Sequence, residues 1–145
     1  MAHKILVVDD DPSVRSLLED FFTPLGYRVI TTDNGREALH VAPREKPDVI
    51  LLDVIMPGMD GAQICKALRA NKETELIPVI MMTGFAGTVI DVSRSAPDDL
   101  VMKPFRLPDL LTRVRAIIPI RPLTNRLERM LAYLDELDKN HLGCD

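Results

Sequence analysis

Four places in the sequence carry side chains that could do chemistry together. An acidic pair, Asp9-Asp10, follows one apolar run, and a single acid, Asp53, closes another. A hydroxyl, Thr83, closes a third run, and an amine, Lys103, stands just past a fourth. Carboxylates crowded together repel and resist joint ionisation. A hard divalent cation removes that conflict, and an all-oxygen ligand set suits Mg²⁺, Ca²⁺ or Mn²⁺ better than zinc. Mg²⁺ bound through one or two carboxylates keeps positions open for a phosphate oxygen. A carboxylate is also a competent nucleophile toward phosphorus and yields an acyl phosphate. Phosphoryl transfer needs in-line positioning and charge neutralisation. A cation and the Lys103 ammonium would neutralise charge, Thr83 would hydrogen-bond the arriving oxygen, and Gly84 beside it has no side chain to block entry. Each residue alone has a plainer reading: a strand-end Asp as a helix N-cap, Thr83 as an ordinary strand end, Lys103-Pro104 as an exposed turn. Their joint occurrence carries the functional reading.

The elements that must position these groups alternate regularly. Ile5-Leu6-Val7-Val8 is a continuous β-branched and apolar run, as expected for a strand buried on both faces. Asp11-Pro12 reads as an N-cap and first-turn proline, and Val14, Leu17, Leu18, Phe21 and Phe22 recur at helical spacing up to a stop near Gly26. Residues 27–32 read as a second strand and 34–41 as a second helix, which Pro43 should cut short. Val49-Ile50-Leu51-Leu52 forms a third strand ending on Asp53. A turn at Pro57-Gly58 leads to a helix with Ile64, Cys65 and Leu68. Val79-Ile80-Met81-Met82 is a fourth strand ending on Thr83. Residues 84–97 make a poor helix, weakened by Gly84, Gly87, Ser93, Ser95 and the run Thr88-Val89-Ile90. A short fifth strand over 100–102 precedes Lys103, and a helix follows from about Pro108 to Ile118. Alternation of this kind predicts an α/β fold, a doubly wound, parallel five-stranded sheet. Ligands of such sheets bind at the carboxyl ends of the strands, where the strand order reverses. All four chemical positions fall there.

The 145 residues suit one domain with a core that needs no disulfide or metal staple. The composition, 46% hydrophobic and 28% charged, is that of a soluble globular protein. A net charge of −4 disfavours non-specific binding to nucleic acid or anionic membrane. Cys65 and Cys144 form no CxxC pair and read as free thiols of a reducing cytosol. No apolar run reaches spanning length and no h-region follows Met1, so a cytoplasmic location is expected.

The sequence resembles the receiver domains of two-component response regulators. The likeness rests on KILVVDDDPSVRSLL (Lys4 to Leu18), PDVILLDVIMPGMDG (Pro47 to Gly61), PVIMMTG (Pro78 to Gly84) and KPF (Lys103 to Phe105), and covers residues 3–119. The resemblance implies a flavodoxin-like (βα)5 fold. It also implies Asp53 as phosphoacceptor, Asp9, Asp10, Asp53 and the backbone carbonyl of Ile55 as Mg²⁺ ligands, Thr83 as switch hydroxyl and Lys103 as the phosphoryl-contacting lysine. A cis Lys103-Pro104 bond and a histidine kinase or phosphotransfer protein as donor belong to the same expectation. The chain departs from the family at Leu100, where the switch residue is usually Tyr or Phe, and in a Thr83–Lys103 span a little shorter than usual. The residues two past the phosphoacceptor and the switch threonine, which govern water attack in the family, are Ile55 and Phe85. Both are apolar, so slow self-dephosphorylation is expected.

Residues 120–145 lie beyond the receiver and read as a helical extension. Leu123, Leu127, Met130, Leu134, Leu137 and His141 follow a short heptad seam. It could self-associate into a homodimer, pack on its own receiver, or link to an output domain. Arg113, Arg115, Arg121, Arg126 and Arg129 read as a solvated basic face. There is no helix-turn-helix signature and hence no expected direct nucleic-acid contact, and nothing around His141 suggests a phosphorelay histidine. The leading function is a phosphorylation-dependent switch acting on an unknown output partner, not an enzyme beyond its own phosphoryl transfer and hydrolysis. The alternative is a phosphorylation-independent interaction module. A metal-dependent phosphatase would need an acid/base carboxylate at position 55, where Ile55 stands.

Overall fold

The computed structural model describes residues 2–84 and 95–142, without the side chains of the last two. The elements are β1 (Lys4–Val8), α1 (Pro12–Phe22), β2 (Arg28–Thr32), α2 (Gly35–Glu45), β3 (Val49–Asp53), α3 (Gly61–Ala70), β4 (Val79–Thr83), β5 (Asp99–Met102), α4 (Leu107–Ile117) and α5 (Arg126–Leu142). The expected helix within 84–97, together with Phe85, lies outside the described residues. The same holds for Cys144 and the side chain of His141.

All five strands are parallel and lie in the order β2-β1-β3-β4-β5. Alternation along the apolar strands builds two cores. Ile5, Val7, Val49, Leu51, Ile80 and Met82 point to the side holding Leu18, Phe22, Leu110, Val114 and Ile117 of α1 and α4. Leu6, Val8, Ile50, Leu52, Val79 and Met81 point to Ala38, Val41, Ile64, Cys65 and Leu68 of α2 and α3. Burial on both faces is why these strands read as continuous rather than alternating hydrophobic runs.

Local signals set most boundaries. The Asp11 side chain accepts from the Ser13 N–H at 2.9 Å, with Pro12 in the first turn of α1. Asn34 accepts from the Glu37 N–H at 2.9 Å, and Asp60 and Gln63 form a reciprocal capping box on α3. One expectation fails. Pro43 does not end α2, which continues to Glu45 and closes where the Lys46 N–H donates to the Ala42 carbonyl at 3.0 Å. A proline this near the end forfeits one backbone bond, while the buried Val41 and Ala42 hold the helix against the sheet.

The helical extension lies against α4, and it does not use its heptad seam as one unit. Leu123 and Leu137 join the α1/α4 core together with Tyr133 and Ala132, whereas Leu127, Met130 and Leu134 face solvent. The basic run is a solvated face only in part, at the exposed Arg115 and Arg126. Arg129 is 1% exposed and donates to the carbonyls of Arg121, Leu123 and Leu76 and to the Asp98 carboxylate. Asp98 also pairs with Arg69 at 2.9 Å and Arg126 at 3.3 Å. Asp99 pairs with Arg113 at 2.6 Å and accepts the Tyr133 hydroxyl, and Arg121 pairs with Asp48. Two acids at the start of β5 thus gather cations from α3, α4 and α5. Composition could not reveal this, because an arginine looks the same in sequence whether solvated or buried with partners.

Candidate functional site

β1 and β3 are neighbours, with Val8 level with Leu52, so the residues that end them emerge side by side. This is the point where the strand order reverses. Carboxylate oxygens of Asp9, Asp10 and Asp53 lie within 4.8 Å of one another. Asp9 is fully buried, Asp53 nearly so, and Asp10 is exposed. Asp9 is held from two sides: its Oδ1 accepts the Asp11 N–H at 2.9 Å, and its carbonyl accepts Arg15 Nη1 at 2.8 Å. Lys103, just past β5, reaches back with Nζ 3.0 Å from Asp9 Oδ2 and 3.4 Å from Asp53 Oδ1. Its own N–H donates to the Thr83 carbonyl at 2.7 Å, extending the β4–β5 ladder. Thr83 is buried at the end of β4. The Lys103-Pro104 bond is cis.

Burial and then the Asp9 charge push the Asp53 carboxyl up to about 6, against the opposing pull of Lys103 and the Ile55 N–H. Burial pulls Lys103 down, but its hydrogen bond to Asp9 and the charges of Asp53 and Asp9 outweigh that and hold it above its ordinary value. One ammonium therefore does not balance three crowded acids, and an acid so displaced is one that more positive charge would relieve. The donor set, all oxygen and part open to solvent, fits a hard divalent ion.

A raised carboxyl pKa has a definite sign. The folded state holds the Asp53 proton more tightly than the unfolded state, so stability falls as pH rises from about 4 to about 6 and stays lower above that. The loss is on the order of 2 kcal/mol. Asp53→Asn is expected to be more stable than the parent at pH 7.5, with the gap closing near pH 4 in urea unfolding. Equal stabilities at both pH values would contradict the crowding.

Close backbone packing shapes the loop after β3. A Cβ on Gly61 would sit 2.7 Å from the Asp53 carbonyl oxygen and 2.8 Å from Val54 Cα, and the Gly61 N–H donates to the Val54 carbonyl at 2.8 Å. Only glycine lets α3 start this close to the phosphoacceptor candidate. Gly58 has φ +83 in the turn before it. At Gly84, by contrast, an added Cβ would meet only Lys103 Cβ at an ordinary 3.8 Å. The Ile55 side chain is 54% exposed at the site's rim. Leu100 is partly buried against the α2/α3 core. Sequence reading missed Arg15 and Gly61. The DG step before α3 was the available signal for Gly61, and the spacing of Arg15 from Asp9 gave none for its contact with the Asp9 carbonyl.

Fold and site together define a class: a doubly wound α/β protein with an acidic, lysine-bordered site at the switch point of a 2-1-3-4-5 sheet. The chain belongs to the response regulator receiver domain family, which its residues 5–115 match. It is 45% identical over 118 residues to the "Probable transcriptional regulator ycf27" of Pyropia yezoensis, covering 79% of this chain and 47% of that protein. It is 40% identical to the DNA-binding response regulator MtrA of Mycolicibacterium smegmatis, covering 80% and 50%. The chain thus spans about half the length of these curated relatives. Among solved structures it resembles the receiver domain of the sensor histidine kinase PA1611 from Pseudomonas aeruginosa, determined with a magnesium ion coordinated in its active-site cleft. That match has a TM-score of 0.77 and 28% identity and covers 82% of this chain and 99% of that one. No helix among the described residues is long and apolar enough to cross a membrane.

Proposed function

We propose that the chain accepts a phosphoryl group on Asp53, with Mg²⁺ bound, and transmits that event as a change in its surface. The observation that carries this reading is the convergence of Asp9, Asp10 and Asp53 within 4.8 Å, with Lys103 bridging two of them. A histidine kinase or phosphotransfer protein donates the group. An Asp53 carboxylate oxygen attacks phosphorus, the bond to the donor imidazole nitrogen breaks, and the imidazole leaves and takes up a proton. Asp9, Asp10, Asp53 and the Ile55 carbonyl would hold the Mg²⁺, which supplies positive charge to the phosphoryl oxygens. Lys103 holds its ammonium against Asp53 throughout, and the Thr83 hydroxyl moves to the newly placed oxygen. The consequence is a shift of the face carried by β5 and α4 toward an output partner, with Leu100 moving in place of an aromatic ring. The protein is not an enzyme in the usual sense, since its only turnover is its own phosphoryl transfer and hydrolysis.

Intact mass after incubation with a small phosphodonor and Mg²⁺ tests the reading. One added phosphoryl group is expected, absent in Asp53→Ala and with a chelator. No gain in the folded parent chain would reject it.

The phospho-form is expected to be long-lived, because the apolar Ile55 side chain at the rim cannot orient a water. Phe85, the other expected position, lies outside the described residues. Ile55→Asn combined with Phe85→Glu should shorten the half-life at least about tenfold, followed by mass decay after donor removal. Decay of the parent within seconds would sink this prediction.

A further inference from the structure

α5 shows solvent a stripe of four large apolar side chains, Leu127, Met130, Leu131 and Leu134, each 52–61% exposed. Its opposite face is already occupied, since Arg129, Ala132, Tyr133 and Leu137 pack against the receiver. The spacing of the stripe is symmetric about its midpoint, between residues 130 and 131. A two-fold axis through that midpoint, perpendicular to the helix, lays Leu127 on Leu134 and Met130 on Leu131. A surface that reads the same from both ends is complementary to itself. We infer that this stripe is the docking surface for a second copy of the chain, with the two α5 helices antiparallel in a closed, two-fold pair.

Charge selects the direction. One turn beyond Leu134 the stripe ends on the exposed Asp138, beside the exposed Asp135. A parallel pair would set Asp138 against its own copy, which costs stability. The antiparallel pair carries each Asp138 past the other copy's Leu127 to the start of α5. There Asn125 caps the Glu128 N–H at 3.1 Å and the Arg126 side chain is half exposed. Negative charge is favoured at a helix N-terminus. Arg129 anchors α5 through several hydrogen bonds, so the stripe is presented with little ordering cost on association. Two turns of helix bury less than the roughly 1,600 Å² of a standard interface. The pair is therefore weak, with Kd on the order of 100 μM.

Sedimentation equilibrium of the full chain from about 5 to about 500 μM should show monomer passing to dimer. Leu131→Glu and Met130→Glu should each weaken the dimer more than about tenfold while leaving Tm unchanged, because both side chains point to solvent. Orientation is read in a Cys144→Ser background, where Cys65 is buried. A short bis-maleimide should join Leu127→Cys chains to Leu134→Cys chains far more than either to itself. A parent chain that stays monomeric across the range would give the stripe to a different partner and overturn the proposal. Glutamate variants that dimerise like the parent, or cross-linking of like with like, would overturn it as well.

Discussion

Lys103→Met is expected to slow phosphoryl acceptance by about 100-fold or more, with the chain still folded. Lys103 is the only described side-chain cation in an ion pair with Asp9 or Asp53. On the proposed function, it stands where the charge of a phosphoryl group joined to Asp53 would be offset. Removing a preorganised charge from such a place typically costs two to three orders of magnitude in rate. The methylene stem is retained in methionine, so packing against the strand ends changes little. Lys103→Arg should recover only part of the rate, because a planar guanidinium cannot meet both carboxylates as a point charge does. The measurement is the rate of mass gain at fixed phosphodonor and Mg²⁺. A methionine variant within about threefold of the parent rate would remove Lys103 from the chemistry.

Arg129→Ala is expected to destabilise the chain by about 3 kcal/mol. The substitution strips partners from the Leu76, Leu123 and Arg121 carbonyls and from one side of the buried Asp98. Losing one member of a buried, hydrogen-bonded charge network leaves the others desolvated and unpaired, which is why breaking such a group costs more than making it gains. Arg69 still pairs with Asp98, which keeps the effect at the lower end of the usual range. Urea unfolding read in parallel with the Arg126→Ala variant makes the comparison internal. Arg126 is half exposed and reaches Asp98 at only 3.3 Å, so its loss should cost less than about 1 kcal/mol. Similar losses for both would mean that burial of Arg129 does not set the energetics.

Most of the sheet was legible because its three inner strands, β1, β3 and β4, are buried on both faces and so appear as nearly uninterrupted apolar runs. The acids and the lysine were legible because they stand at or just past strand ends. Their convergence followed from the rule that parallel sheets bind ligands where strand order reverses. What stayed hidden was set by tertiary context. Pro43 obeys its local preference only when packing does not oppose it, and here Val41 and Ala42 are already buried. Gly61 looks like any turn glycine until the Asp53 carbonyl is placed 2.7 Å from where its Cβ would be. Arg129 and Tyr133 carry no sign in sequence of the acids they meet, because Asp98 and Asp99 lie 31 and 34 positions away. The heptad spacing in α5 was real, but an apolar repeat does not reveal which of its members turn inward.

The pairing of Tyr133 and Arg113 with Asp99 bears on a residue they never touch. β5 is four residues long, with Asp99 at one end and Lys103 just beyond the other. A strand advances about 3.3 Å per residue and turns its side chains over at each step. A slip of one position would carry Lys103 beyond reach of Asp9 and point it through the opposite face of the sheet. The helix at the far end of the chain therefore acts as a stop against which this edge strand is indexed, and it gauges where the lysine lands.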